Sequence, residues 1–216
     1  MWVAYVPECG NFRKRPKGEV GRWHGGLVSQ TTIGVYWGAR PADLASCAAR
    51  ATRHFQSLSE TSPYLDRWYL LASRKPKKLT EVDVHSNVIL VDQLAMGVNR
   101  TDIDRKPIPE LGWRIRYWNG DAGGWSASTD VHCGMLSRNP NLSNCANVSI
   151  SGDVPDTLAT ELLRLLVGVW NPDTGVVTRN GPNGDKEVTV ATYATSMSAR
   201  IVGRGERHSR GRLVVN

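Results

Sequence analysis

Residues 111–120 read LGWRIRYWNG, and residues 121–135 read DAGGWSASTDVHCGM. Over 113–118 the chain alternates, with Trp113, Ile115 and Tyr117 on one side and Arg114, Arg116 and Trp118 on the other. A period of two is the mark of a half-buried strand. Trp125, Ala127, Thr129, Val131 and Cys133 share a face in the same way. Asn119-Gly120 opens the connection and Gly123-Gly124 closes it, residue types that accept the backbone angles of a hairpin loop. Ala146–Ile150 is a third short β-like run. These three segments predict an antiparallel meander with helices packed against it.

Working outward, Leu158, Leu162, Leu165, Leu166 and Val169 form the apolar stripe of a helix that begins near Pro155 and stops at Asn171-Pro172-Asp173. Gly175–Thr178 and Glu187–Tyr193 read as two further strands, and Leu213–Val215 as a last edge strand. Upstream, Thr31–Trp37 is β-branched and aromatic, a strand ended by Gly38. A helix is expected over 41–58, with Leu44, Cys47, Ala48, Ala51, Phe55 and Leu58 on its buried stripe; Arg50, Arg53 and His54 fall off the stripe and read as solvated. Ser62-Pro63 is a turn, and Tyr64–Leu70 an aromatic cluster read as a short helix. Arg74–Lys78 is a basic loop. Val84, Val88, Val91, Ala95 and Val98 predict a helix over 83–97, and Asn99–Glu110 a polar connection. Strands in runs with helices between them give an α+β fold in a single domain, with about three amphipathic helices.

The net charge of +7 is unevenly placed. Residues 1–31 carry five basic and two acidic residues and residues 200–216 five and one, leaving 17 of each sign between them from totals of 27 and 20. The expected organisation is a basic, extended or poorly ordered arm over 1–30 (with a short strand at Met1–Tyr5), a neutral body over 31–199 and an Arg-rich tail over 200–216. Basic ends of this kind solvate a terminus or bind nucleic acid. Cys9, Cys47, Cys133 and Cys145 form no CxxC pair and are expected to be buried, reduced thiols, as in a reducing compartment. Neither a secretory signal nor a run long enough to span a membrane is visible, so a cytoplasmic protein is expected.

The sequence carries no phosphate-binding glycine loop, no GxSxG elbow and no HExxH. His132 and Cys133 are adjacent on a strand, so they face opposite ways and share no metal easily. No catalytic, cofactor or metal residue is therefore assigned. Eight tryptophans remain to be explained. Trp118, flanked by Arg114 and Arg116, presents the residue types that dominate protein–protein hot spots, provided helices do not cover its face.

The spaced segments VYWGAR (35–40), CAAR (47–50), DRWYL (66–70), MGVNRTD (96–102), ELGWRIRYWNG (110–120), VHCG (131–134), NVSI (147–150) and VWNPDTGVV (169–177) resemble the immunity protein 52 family of bacterial polymorphic-toxin systems. The resemblance covers about residues 32–195. It implies a protein that is not an enzyme and that neutralises a cognate toxin encoded by the adjacent gene. That toxin would be a nuclease of restriction-endonuclease fold, delivered by a contact-dependent or type VI secretion apparatus. Occlusion would be stoichiometric, without cofactor or membrane. The neutral body argues against wholesale mimicry of DNA. Two toxin-binding surfaces are expected: the loop acids Asp102, Asp104 and Glu110, and the face bearing Arg114, Arg116 and Trp118. Trp37, Gly112, Trp113, Gly120, Gly134 and Asn147 belong to the resemblance on grounds of folding. The competing expectation is a nucleic-acid-associated protein that uses its basic termini.

Overall fold

The computed structural model describes residues 29–70, 80–101, 103–121, 125–137, 139, 142–152, 154–181, 186–193 and 199–207. The expected strands at Met1–Tyr5 and Leu213–Val215 and the basic loop Arg74–Lys78 lie outside these residues. In chain order the strands are β1 (Gln30–Trp37), β2 (Trp68–Leu70), β3 (Glu81–Val82), β4 (Trp113–Trp118), β5 (Ala127–Cys133), β6 (Asn144–Ser151), β7 (Thr174–Asn180), β8 (Lys186–Tyr193) and β9 (Ala199–Arg207). The helices are α1 (Leu44–Thr61), α2 (Asn87–Met96) and α3 (Asp156–Trp170). The strands form one antiparallel sheet in the order β3-β2-β4-β5-β6-β1-β7-β8-β9. The fold is α+β, and β4-β5-β6 is the meander expected from 111–150.

Register fixes which side of the sheet each residue occupies. Ile115 opposes Val131, Val131 opposes Ala146, Ala146 opposes Val35 and Val35 opposes Gly175. This row and its neighbours (Tyr117, Thr129, Val148, Ile33) form the face against which the helices pack. Phe55 of α1 lies 5.6 Å from Tyr117, and Trp170 of α3 stacks on Trp37 at 5.2 Å. Ala48 and Ala51 are fully buried and let α1 lie close to the strands. Asp43 caps α1 by accepting from the Ser46 amide at 2.6 Å. Between β4 and β5, buried Asn119 donates to Tyr64 O and Trp125 O and accepts from the Ala127 amide, which holds the connection in place.

Two expected helices change. The stretch expected to be helical from 83 starts at Asn87, because Val82 belongs to β3 and Val84 is buried in the turn that follows. Valines at 82 and 84 share a strand side as readily as a helical stripe. Tyr64–Leu70 is a 3-10 turn (Pro63–Leu65) leading into β2 rather than a helix. Proline sets that turn's first residue, and Trp68 Nε1 donates to Leu65 O at 2.9 Å, so the aromatic cluster closes on itself. Over 199–207 the chain pairs with β8, so the Arg-rich stretch begins as a strand.

Gly97 explains how α2 is seated. A Cβ there would lie 1.9 Å from Arg114 O, and the Arg114 amide donates to Gly97 O at 3.0 Å. The end of α2 thus presses backbone to backbone on β4, an approach that only glycine allows. Val98 then bridges Trp113 and Arg100 bridges Pro107, so residues 98–112 form a short excursion along the first half of β4.

Candidate functional site

The opposite face of the sheet carries no helix among the described residues. On β4 it presents Arg114, Arg116 and Trp118; across the ladder from them stand His132, Asp130 and Ser128. Asn147 of β6 stands next to Asp130, and Cys145 of β6 and then Tyr36 of β1 continue the row of His132. The three β4 residues expected to share a face do so, and among the described residues no helix covers them, although Cys145 on the same face is fully buried.

Its electrostatics centre on Asp130. Arg114 Nε donates to Asp130 Oδ1 at 2.8 Å and its second nitrogen bonds Oδ2, a bidentate fork. Arg116 Nε reaches the same carboxylate at 3.4 Å. The Asp130 hydrogen bonds hold the Arg114 guanidinium charged, against partial burial. The Asp130 side chain is 18% exposed and that of Arg116 is 44% exposed. One carboxylate therefore serves two guanidinium groups, and Arg116 is the outer of the two. Trp118 is half-buried, its ring 6.4 Å from Tyr69, and its indole nitrogen donates to Asp121 at 3.1 Å and Ser126 at 3.3 Å. Burial lowers the His132 pKa and keeps it neutral; its Nε2 lies 2.6 Å from Leu111 O and 3.3 Å from Asn99 Nδ2.

Through that Asn99 contact the 98–112 excursion meets the open face. Of the loop acids, Asp102 lies outside the described residues. Asp104 is exposed and its carboxylate is already engaged by the Thr101 hydroxyl, the Lys106 amide at 3.3 Å and Lys106 Nζ at 2.9 Å. The Thr101 bond leads in lowering its pKa. Glu110 is exposed in the 3-10 turn Pro109–Leu111, with no ion pair for its carboxylate among the described residues. No hydrogen bond joins Asp104 or Glu110 to Arg114, Arg116 or Trp118 among those residues. Asp130 was not singled out from sequence, although the two alternating runs place it opposite Arg116 once the hairpin register is counted.

His54 corrects the expectation that it is solvated. It is fully buried where α1 meets α3 and β5. Its Nδ1 accepts from Trp170 Nε1 at 3.3 Å, its Nε2 donates to Thr129 Oγ1 at 3.1 Å, and the Thr129 hydroxyl donates in turn to Asn147 O at 2.9 Å. Burial pushes its pKa down to about 3, so it is neutral. Two packing partners make the buried sector of α1 wider than the single apolar stripe suggests. Cys47 and Cys133 are free and buried, as expected; a thiol hydrogen bond between them lowers Cys47 and raises Cys133. Cys145 departs from the expectation of reduced thiols: it is disulfide-bonded.

Among the described residues no three His, Cys, Asp or Glu side chains are grouped to hold a metal ion. None of the described helices is long and apolar enough to cross a membrane. The sequence profile of immunity protein 52 matches residues 30–196, most of the chain and the whole of β1 to β8. The chain belongs to the immunity protein 52 family. No individual curated protein matches it. Within this immunity protein 52 member, the matched glycines and tryptophans do structural work. Gly134 has φ +74°, and a Cβ there would lie 2.3 Å from the Trp113 ring. Immunity proteins bind a cognate toxin.

Proposed function

We propose that this chain neutralises a cognate toxin by stoichiometric occlusion, using the open sheet face with Arg114, Arg116 and Trp118 at its centre. The family match over 30–196 carries the reading. The half-buried indole beside a partly exposed guanidinium supports the placement, since such pairs anchor protein interfaces. The loop acids Asp102, Asp104 and Glu110 are proposed as further toxin contacts beside that face; of these, Asp104 and Glu110 are exposed. An antidote must hold its toxin at a dissociation constant of roughly nanomolar or below, which calls for about 1,600 Å² of well-packed contact.

The toxin we propose is a nuclease encoded by the adjacent gene and delivered by a type VI or related contact-dependent apparatus. The antidote then works in the cytoplasm, where DNA is exposed. The disulfide at Cys145 stands against a reducing compartment, and cell fractionation decides between the two. Co-expression with the neighbouring gene tests the reading directly. Survival that depends on this chain, with a one-to-one complex on gel filtration, is the expected result. A harmless neighbour, or a lethal one that is neither bound nor countered, overturns it. Salt-sensitive retention on DNA, lost on deleting residues 1–30 and 200–216, would point to a nucleic-acid-associated role instead.

A further inference from the structure

Three residues on the open side of the sheet are buried, although among the described residues no helix lies over it. Cys145 opposes His132 on β5 and Tyr36 on β1. Val176 opposes Gly34, which opposes Asn147, which opposes Asp130. Val188 opposes Thr178, and that row runs on through Thr32, Ser149 and Ser128 to Trp118. All three therefore stand on the side of Arg114, Arg116 and Trp118. Cys145 is 0% exposed, Val176 3% and Val188 5%, yet none belongs to the core that the helices cover. Val190, across from Val176, is half-buried beside them. Toward β4 the same side opens, and the Arg116 side chain is 44% exposed. The β6–β8 half is thus covered and the β4 end is not. A single chain can bury these residues only with a part of itself.

Cys145 points to which part. The chain has four cysteines, Cys9, Cys47, Cys133 and Cys145. Cys47 and Cys133 are free and belong to the helix-covered core, while Cys145 is disulfide-bonded. Within one chain only Cys9 is left to pair with it. Twenty-one residues lead from Cys9 to Gln30, a reach of up to ~70 Å when extended. Cys145 stands opposite Tyr36, only six residues along β1 from Gln30, or about 20 Å. The connection is therefore long enough with slack to spare. Neighbouring strands lie about 4.8 Å apart, so β6 to β8 is about 14 Å, a distance that residues 3–9 span when extended. Those residues read VAYVPEC, so Val3, Tyr5 and Val6 supply apolar side chains next to the cysteine.

We infer that the N-terminal arm covers the β6–β8 half of the open side, fixed there by a Cys9–Cys145 disulfide and seated through Val3, Tyr5 and Val6 on Val176, Val188 and Val190. The link forms by thiol–disulfide exchange with an external disulfide such as that of glutathione. The two thiols of Cys9 and Cys145 give up two electrons and two protons, and the external disulfide leaves as two thiols. The arm takes one half of this side of the sheet and leaves β4 and β5, with Arg116 and Trp118, as the strip open to a partner. The cover needs no toxin, so its failure and that of the toxin reading are separate.

Tryptic digestion of the unreduced full chain tests the link. The expected product joins peptide 1–13 to peptide 139–164 and vanishes on reduction. Cys145 recovered as a free thiol, paired with another cysteine of the chain, or joined to a second chain overturns the inference. Docking is tested by equilibrating the full chain in glutathione buffers and reading the linked fraction from that peptide pair. A free tether gives an effective thiol concentration of about millimolar, and a seated arm is expected to exceed this at least tenfold. Val188→Asp is expected to lower the parent value about tenfold, and Tyr5→Ser combined with Val6→Ser by about as much. The arm variant lies outside the family match at 30–196, so it reports on docking even where Val188→Asp loosens the sheet. A parent value no higher than millimolar, or an arm variant within twofold of the parent, overturns the inference: the arm is then tied to the sheet without covering it.

Discussion

Trp170 and Trp118 lie on opposite sides of one sheet, and both keep their indole N–H hydrogen-bonded. Trp170 is fully buried, stacked on Trp37, and its donor goes to a buried neutral histidine. Trp118 is half-buried, and its donor goes to Asp121 and Ser126 at the end of a hairpin. The same contrast holds for polar groups. On the covered face His54, Thr129 and Asn147 O form a closed chain with every donor placed. On the open face two guanidinium groups converge on one carboxylate, and Arg116 keeps capacity to spare. Tryptophan on the covered face is locked into the core, whereas Trp118 keeps part of its ring at the surface.

The strongest way to break this comparison is to truncate both rings. Trp170→Ala should cost about 3–5 kcal/mol in urea unfolding, since it removes a large core side chain and strands His54. The comparison fails if that variant is as stable as Trp118→Ala. A second test uses pH. The His54 pKa is depressed in the folded chain to about 3 from 6.5, so the unfolded chain takes up the proton first. Its contribution is complete above about pH 6.5 and is lost as pH falls toward 3, at about 1.4 kcal/mol per pH unit within that window. His54→Gln should flatten the stability profile between pH 6.5 and 4.5 relative to the parent, and an unchanged slope would show that His54 is not held neutral. Asp130→Asn sharpens the comparison on the other side. It leaves Arg114 without its fork and should cost about 1–2 kcal/mol, measured by unfolding, less than for a fully buried ion pair. The smallest stability effect belongs to Trp118→Ala, below about 1 kcal/mol, yet that variant should lose at least tenfold in toxin affinity by titration. A Trp118→Ala chain that binds as tightly as the parent would move the interface off the sheet.

Much of this architecture is legible in the residues. The alternation at 113–118 and 127–133 separates Trp113, Ile115 and Tyr117 from Arg114, Arg116 and Trp118, because a half-buried strand has only two sides, but which side the helices take comes from the structure. Helix positions follow where the buried side is a narrow apolar stripe, as along α3 with Leu162 and Leu166 fully buried. They fail where burial comes from two directions: α1 is covered by the sheet and by α3, so His54 is inside although its sequence neighbours Arg50 and Arg53 are not buried. Asp130 is hidden for a different reason. Its role depends on register across a hairpin, a relation between two segments that neither contains alone. The exposed stripe of α2 hides for a third: Val88, Leu90 and Met96 read alike as apolar letters, and only packing against α1 and β4 divides them.

The family match ends at residue 196, but the sheet does not. β9 runs from Ala199 to Arg207 and hydrogen-bonds along the length of β8. A chain cut at the family boundary would leave the backbone amides and carbonyls of Lys186–Tyr193 without their neighbour, an invitation to strand-on-strand aggregation. The nine residues of β9, beyond the family region, thus act as a selvedge for β8, bound to it by backbone pairing.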